Sequence, residues 1–288
     1  MKVFVTGSEG QLGRTLGETV PAAVDLAGGN LPELDIVDLQ ALQTRLAAEK
    51  PDFVVNAAAY TAVDKAESEP DIARRVNVDG ARNVAQAARE AGARVIHIST
   101  DFVFDGTSDV PYTADDAPAP LGVYGQTKLD GEVAVRDATD NDAIVIRTAW
   151  LYSRFGHNFV KTMLRLMADR DELSVVADQR GTPTWAGSLA EVIWAAVDRD
   201  LPGGIYHWTD GGEATWYDFA TAIYREARDS GLLEREVEIR AIPTEDYPTP
   251  ARRPAYSVLD CSGTVAALGV EQQHWAARLR QMLEEMRD

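Results

Sequence analysis

The chain has 288 residues, 45% of them hydrophobic, which is enough for a well-buried core in one large domain or two modest ones. It has no apolar run of about 18 residues that could span a bilayer, and its formal charge of −18 repels phosphate backbones, so membrane and nucleic-acid partners are set aside. The single cysteine, Cys261, excludes an internal disulfide and a cysteine-rich metal site and reads as a small buried side chain.

The N-terminus enters a strand pattern directly, Met1-Lys-Val-Phe-Val, without the charged and apolar regions of a leader, and this predicts a cytoplasmic protein. The β-branched run Lys2–Thr6 ends in Gly7-Ser-Glu-Gly10-Gln-Leu-Gly13, after which Arg14–Val20 has helical composition. In that context Gly7 allows the tight turn, Gly10 lets a backbone approach a pyrophosphate, and Gly13 packs helix on strand. Free N–H groups at the helix start attract an anion, so the segment predicts dinucleotide binding.

Ala22–Leu26 reads as the second strand, with Asp25 as a candidate to bond the adenosine ribose or as a solvated strand-end acid. Asp38 has the position of an N-cap for a helix over Leu39–Glu49. Phe53–Asn56 is a third buried strand, running into Ala57-Ala-Ala-Tyr-Thr61, whose small side chains let a ligand lie close. Apolar residues at helical spacing span Asp71–Glu90, with Gly92 as the stop. Arg94–Ser99 is the fourth strand; His97 within it reads as a core histidine, and Ser99, Thr100 and Asp101 fall where open α/β sheets place ligands.

Tyr124 and Lys128 share one face of the next helix. A cation beside a phenol lowers its pKa, which suits a general acid or base, although an ordinary amphipathic helix could carry the same pair. Ala143–Arg147 is the fifth strand. Beyond it the alternation loosens: helices over 158–170, 187–198, 216–230 and 275–286, and strands over 173–176, 204–208 and 237–242. All six tryptophans lie from Trp150 onward, as a lobe that offers flat surfaces to a sugar or base would require. The expected fold is a Rossmann-type doubly wound parallel α/β sheet over residues 1–150, completed by parts of 178–205, with a smaller α/β substrate-binding lobe mainly over 151–288.

Only five residues are lysines, while 27 aspartates outnumber 19 glutamates. Such a surface suits a salt-rich interior, where screening removes self-repulsion, and a GC-rich coding bias would favour Arg over Lys as well.

Taken in order, Gly7-x-x-Gly10-x-x-Gly13, Asn56-Ala-Ala-Ala59, Thr100 and Tyr124-x-x-x-Lys128 resemble the extended short-chain dehydrogenase/reductase superfamily. The stretches Ala62-Val-Asp-Lys-Ala-Glu67, Ser99-Thr-Asp-Phe-Val-Phe-Asp-Gly106, Val123–Glu132, Arg147–Tyr152, Asn158–Met163 and Pro248-Thr-Pro-Ala-Arg-Arg-Pro254 resemble the dTDP-4-dehydrorhamnose reductase family over essentially the whole length. The resemblance implies reduction of the 4-keto group of a nucleotide-linked deoxysugar by NADPH or NADH. It implies catalytic roles for Thr100, Tyr124 and Lys128, with Tyr124 as proton donor and Lys128 on the cofactor ribose. It places Gly10, Gln11 and Leu12 at the pyrophosphate beside Gly7 and Gly13, Asp35 and Ile36 near the adenine, and Ala58, Ala59 and Tyr60 along the cofactor. Asp101 and Trp150 would join Thr100 at the sugar.

Departures qualify the transfer: Phe102 stands where the family often has tyrosine, and Tyr60 where histidine is frequent. Thr15 replaces a glutamate that some members use in metal-assisted dimer contacts, so no metal is assigned, while a homodimer stays compatible. No acid or arginine after the second strand decides between the two dinucleotides. The same motifs would serve a reductase or epimerase of another nucleotide sugar. A non-catalytic regulatory subunit of the methionine adenosyltransferase type also fits the fold, though retention of Thr100, Tyr124 and Lys128 argues against it.

Overall fold

Six strands form one parallel sheet in the computed structural model, which describes residues 1–287. Strands β1 (Lys2–Thr6), β2 (Asp25–Gly29), β3 (Phe53–Asn56), β4 (Arg94–Thr100) and β5 (Ile144–Thr148) are joined at the far edge by Gly204–His207. From that edge the order is Gly204–His207, β5, β4, β3, β1, β2, so the chain reverses direction between β1 and β3. A parallel sheet buried on both faces needs near-continuous apolar strands, and β1 (Val3, Phe4, Val5), β3 (Val54, Val55) and β5 (Ile144, Val145, Ile146) supply them with essentially no exposure. Each such side chain contributes about 1.5–3 kcal/mol relative to leaving it in water.

Helices Gln11–Glu18, Ala186–Asp198 and Ser262–Leu268 cover one face through Leu12, Leu16, Leu189, Ile193 and Leu268. Helices Leu39–Glu49, Ala81–Glu90 and Val123–Ala138 cover the other through Leu42, Leu46, Val84, Ala88 and Val135. A separate core is built by helices Phe159–Asp169, Trp216–Asp229 and Trp275–Glu285 around the parallel pair Glu172–Val176 and Glu238–Ile242.

Local signals act as the sequence predicts at several ends. Asp38 accepts from the Ala41 N–H at 3.0 Å, and Gly92 takes a φ of +77° just past the helix ending at Glu90; Asn158, expected as the first helical residue, instead caps the helix through the Lys161 N–H. The second strand is displaced from the expected 22–26 to 25–29, because it extends along β1 in the register Lys2↔Asp25 to Thr6↔Gly29. The helical stretch from residue 70 to 90 carries a π-helical turn, Arg75–Gly80. The segment Ser262–Leu268 is a helix that no periodicity announced.

Candidate active site

The reversal between β1 and β3 opens a crevice at the carboxyl ends of the strands, where ligands bind in open α/β sheets. Its floor is the glycine turn. Gly7 has a φ of +68°, and its N–H and that of Ser8 donate to the Gly29 carbonyl at 2.9 and 3.4 Å, tying the turn to the end of β2. There is no room for side chains here: a Cβ on Gly7 would lie 2.9 Å from the Ala58 backbone, and one on Gly13 only 2.3 Å from the Gly7 carbonyl oxygen. Gly10 caps helix Gln11–Glu18 without a side-chain bond, so the first-turn N–H groups face outward for an anion.

The expected cofactor residues fall around this turn in different ways. Leu12 buries its side chain in the core and can offer only its N–H. Gln11 turns its amide oxygen to the second lobe, accepting from Ser153 Oγ at 3.1 Å and Asn158 Nδ2 at 2.9 Å. Ala58, Ala59 and Tyr60 are half-buried beside Gly7. Asp35 is exposed and bonds the Val37 N–H, while Ile36 is buried against Gly80. Asp25 does not serve as a ribose ligand. Its register puts it at the amino end of β2, opposite the crevice, where it pairs with Lys2 at 3.8 Å; the three-residue displacement of β2 is the cause.

Thr100 ends β4, and Tyr124 opens the helix Val123–Ala138 beside it. The Thr100 hydroxyl donates to Asp101 Oδ1 at 3.0 Å and accepts from the Phe102 N–H at 3.2 Å. Burial pushes the Tyr124 phenol up to about 12; the nearby Thr100 hydroxyl works against that shift and the Asp101 charge adds to it. The Phe102 ring stands edge-on to Tyr124, with centroids 5.6 Å apart. Burial lowers Lys128 to about 8, opposed by the charge of Glu132. Its ammonium donates to the Ile98 carbonyl at 2.6 Å. Burial governs the phenol, and Lys128, bonded to the Ile98 carbonyl, is not among the groups that shift it.

Asp101 is 2% exposed, with Oδ1 engaged and Oδ2 without a partner. Burial raises it to about 6, against the influence of the nearby Ser257 and Thr100 hydroxyls. Trp150 sits at a φ of +46°, a strained backbone for a bulky side chain. Its indole stacks on Trp216 at 3.5 Å between centroids and 7° between planes, and a Cβ on Gly181 would strike its ring. Trp216 is in turn fixed by Gln179, which accepts from its Nε1 at 3.2 Å.

Three supports were missed at the level of sequence. Glu132 lies one turn beyond Lys128 and pairs bidentately with Arg147 at 3.0 and 2.8 Å, while Ser99 Oγ donates to it at 2.5 Å. Both ion-pair side chains are 2% exposed, so removing either partner costs about 3–5 kcal/mol. The spacing Tyr124, Lys128, Glu132 was the available signal. Asn77, in the π-helical turn, accepts from the Tyr60 N–H at 2.8 Å and donates to the Tyr60 carbonyl and Thr127 Oγ1, both at 3.1 Å. It joins the alanine loop to the helix of Tyr124, and nothing in the sequence marks it. Asp64 likewise holds the proline-dotted loop, accepting from Arg253 Nη2 at 2.8 Å and from the Ala251 N–H at 3.2 Å.

The whole chain, residues 1–288, matches the family model described as RmlD substrate binding domain. It is 40% identical to the dTDP-4-dehydrorhamnose reductase of Salmonella typhimurium, with 99% of this chain and 98% of that protein covered. The crystal structure of a dTDP-4-dehydrorhamnose reductase from Clostridium acetobutylicum superposes with a TM-score of 0.93 at 38% identity over 100% of both chains. The Bacillus anthracis enzyme, solved in complex with NADP, gives 0.93 at 36% identity over 99% of each.

Proposed function

The chain belongs to the dTDP-4-dehydrorhamnose reductase family and is an NAD(P)H-dependent oxidoreductase, and we propose that it makes dTDP-L-rhamnose with Tyr124 as the proton donor. The reaction is reduction of the 4-keto group of dTDP-4-dehydro-L-rhamnose. The observation that carries the assignment of roles is the meeting of Thr100 and Tyr124 at the carboxyl end of β4, beside a glycine cradle with no room for a Cβ. That cradle suits a dinucleotide, with Gly7, Gly10 and Gly13 and the N–H groups of Gln11 and Leu12 at the pyrophosphate and Ala58, Ala59 and Tyr60 alongside.

When bound, the reduced nicotinamide supplies the hydride for C4 of the sugar. Tyr124 gives its proton to the alkoxide that develops on the C4 oxygen. With its phenol near 12, the side chain is fully protonated at neutral pH, and the alkoxide is the stronger base, so transfer runs toward product. Thr100 orients the carbonyl oxygen with its hydroxyl, and Asp101 and Trp150 line the sugar. Lys128, positively charged at neutral pH, lies one turn from Tyr124 to hold the cofactor ribose. Asp35 and Ile36 stand toward the adenine.

No helix among the described residues is long and apolar enough to cross a membrane. We place the enzyme in the cytoplasm, with the −18 surface opposed to nucleic acid and a homodimer as the assembly to test. Oxidation of NADPH or NADH on addition of dTDP-4-dehydro-L-rhamnose tests the reading. Dinucleotide binding without turnover would contradict it.

A further inference from the structure

The end of β2 carries no acid to take the hydroxyls of an adenosine ribose: it reads Gly28-Gly29-Asn30, and Asp25 is at the opposite end of the strand. The glycine pair there lets neighbouring side chains pack closely on the strand. A Cβ on Gly28 would fall 2.7 Å from the Ser8 side chain, and one on Gly29 2.4 Å from Leu34. The β2 strand lies at the sheet edge, bonded only to β1, so its outer side is open to whatever covers it.

What covers it is Arg45, from the middle of helix Leu39–Glu49. Its guanidinium lies over the Phe4 ring at 5.7 Å, and Nη2 reaches the Gly28 carbonyl at 3.4 Å. Nε pairs with Glu49 at 3.1 Å, which orients the group and leaves the Nη atoms toward the strand end. A cavity of about 730 Å³ opens at this point, bounded by Ser8, Gly29, Asn30 and Arg45. Arg45 is the one cation on its wall among the described residues. Of the acids there, Glu9 is neutralised by Arg14 at 3.1 Å and Asp38 is occupied in capping Ala41; Glu33 stands without an ion-pair partner.

We infer that Arg45 recognises the 2′-phosphate of NADPH, so that this chain's choice between dinucleotides is set from the covering helix and not from the end of β2. The inference rests on the dinucleotide reading of the glycine turn. A planar guanidinium presents two parallel N–H donors that match a phosphate, and a ribose hydroxyl gains little from the same charge. The Nη2 contact to Gly28 is long enough to be exchanged for phosphate oxygens without moving the helix.

Equilibrium binding of NADPH and NADH, read by nicotinamide fluorescence, tests it in the unaltered protein, Arg45→Gln and Arg45→Lys. Arg45→Gln is expected to weaken NADPH by about tenfold or more while NADH changes less than about twofold, and Arg45→Lys to retain part of the preference. Added KCl should weaken NADPH more in the unaltered protein than in Arg45→Gln. Equal weakening of both dinucleotides, or no change in either, overturns the role of Arg45 and leaves the dinucleotide site standing. Failure of the unaltered chain to bind either would overturn the site as well.

Discussion

Lys128 donates to the carbonyl of Ile98 at 2.6 Å, an anchor that pins its ammonium to strand β4 one helical turn from Tyr124. The cation is buried, and burial brings it down to about 8. It is charged below that value and loses its proton as pH rises through it. The alkaline limb of kcat/KM, which reports the free enzyme, should therefore have its midpoint near 8. In Lys128→Arg, whose charge persists, the limb should move beyond about pH 10 even where overall rates fall. A profile in which both proteins lose activity at the same pH would assign the limb to another group.

Asn77 makes three hydrogen bonds that tie the Tyr60 loop to Thr127, three residues after Tyr124. Asn77→Asp keeps the acceptor for the Tyr60 N–H and removes both donors. The expected outcome is a loss of about 1–3 kcal/mol in stability from the unmet buried groups. Because the helix start then shifts relative to the alanine loop, kcat should fall at least tenfold, by roughly the scale on which small misplacements act. Thermal melting and steady-state rates check both parts.

Gly13 and Gly17 occupy the same helix with opposite surroundings. A Cβ on Gly13 would meet the Gly7 carbonyl oxygen at 2.3 Å, whereas Gly17 has no neighbour within 4 Å. Gly13→Ala should abolish or severely weaken dinucleotide binding by pushing the turn away from the helix. Gly17→Ala should leave binding intact and stabilise the protein by about 0.5–1 kcal/mol. Titration of NADPH into both variants, with melting temperatures, separates the two effects.

Asp210 is buried beneath the second lobe, where it accepts from the Trp185 N–H at 2.9 Å and pairs with Ser188 Oγ at 2.5 Å. Burial lifts it to about 7, well above its ordinary value. A carboxyl raised on folding favours the folded state below its unfolded pKa and loses that contribution as pH climbs through the folded value. Stability should decline between about pH 4 and 7, the window between those values. In Asp210→Asn, which keeps a donor and an acceptor, that decline should be smaller. Identical slopes of melting temperature against pH in both proteins would contradict the assignment.

Much of the architecture was legible because it depends on local order: a β-branched strand, a glycine turn, a helix, and an apolar run repeated along the first half. Tyr124 and Lys128 on one face were legible for the same reason. What escaped depends on register and distance along the chain. For Asp25 the sequence left a ribose ligand and a solvated strand-end acid both open, and the pairing of β2 with β1 makes it the second, at the far end of the sheet. Asn77 meets Tyr60 and Thr127 across 17 and 50 residues, and Arg45 returns to Gly28 from 17 residues on. The Lys128 ammonium is buried and bonded to a carbonyl of β4, an environment that no side-chain pattern encodes.

The central claim is that Tyr124 delivers the proton that completes reduction at C4. NAD(P)H oxidation at 340 nm with dTDP-4-dehydro-L-rhamnose, run beside dinucleotide titration, measures this directly in the unaltered protein and Tyr124→Phe. The account predicts turnover in the first, a loss of about 10²–10⁴-fold in kcat in the second, and dinucleotide affinity within a few-fold of each other. Tyr124→Phe turning over at the unaltered rate would contradict it.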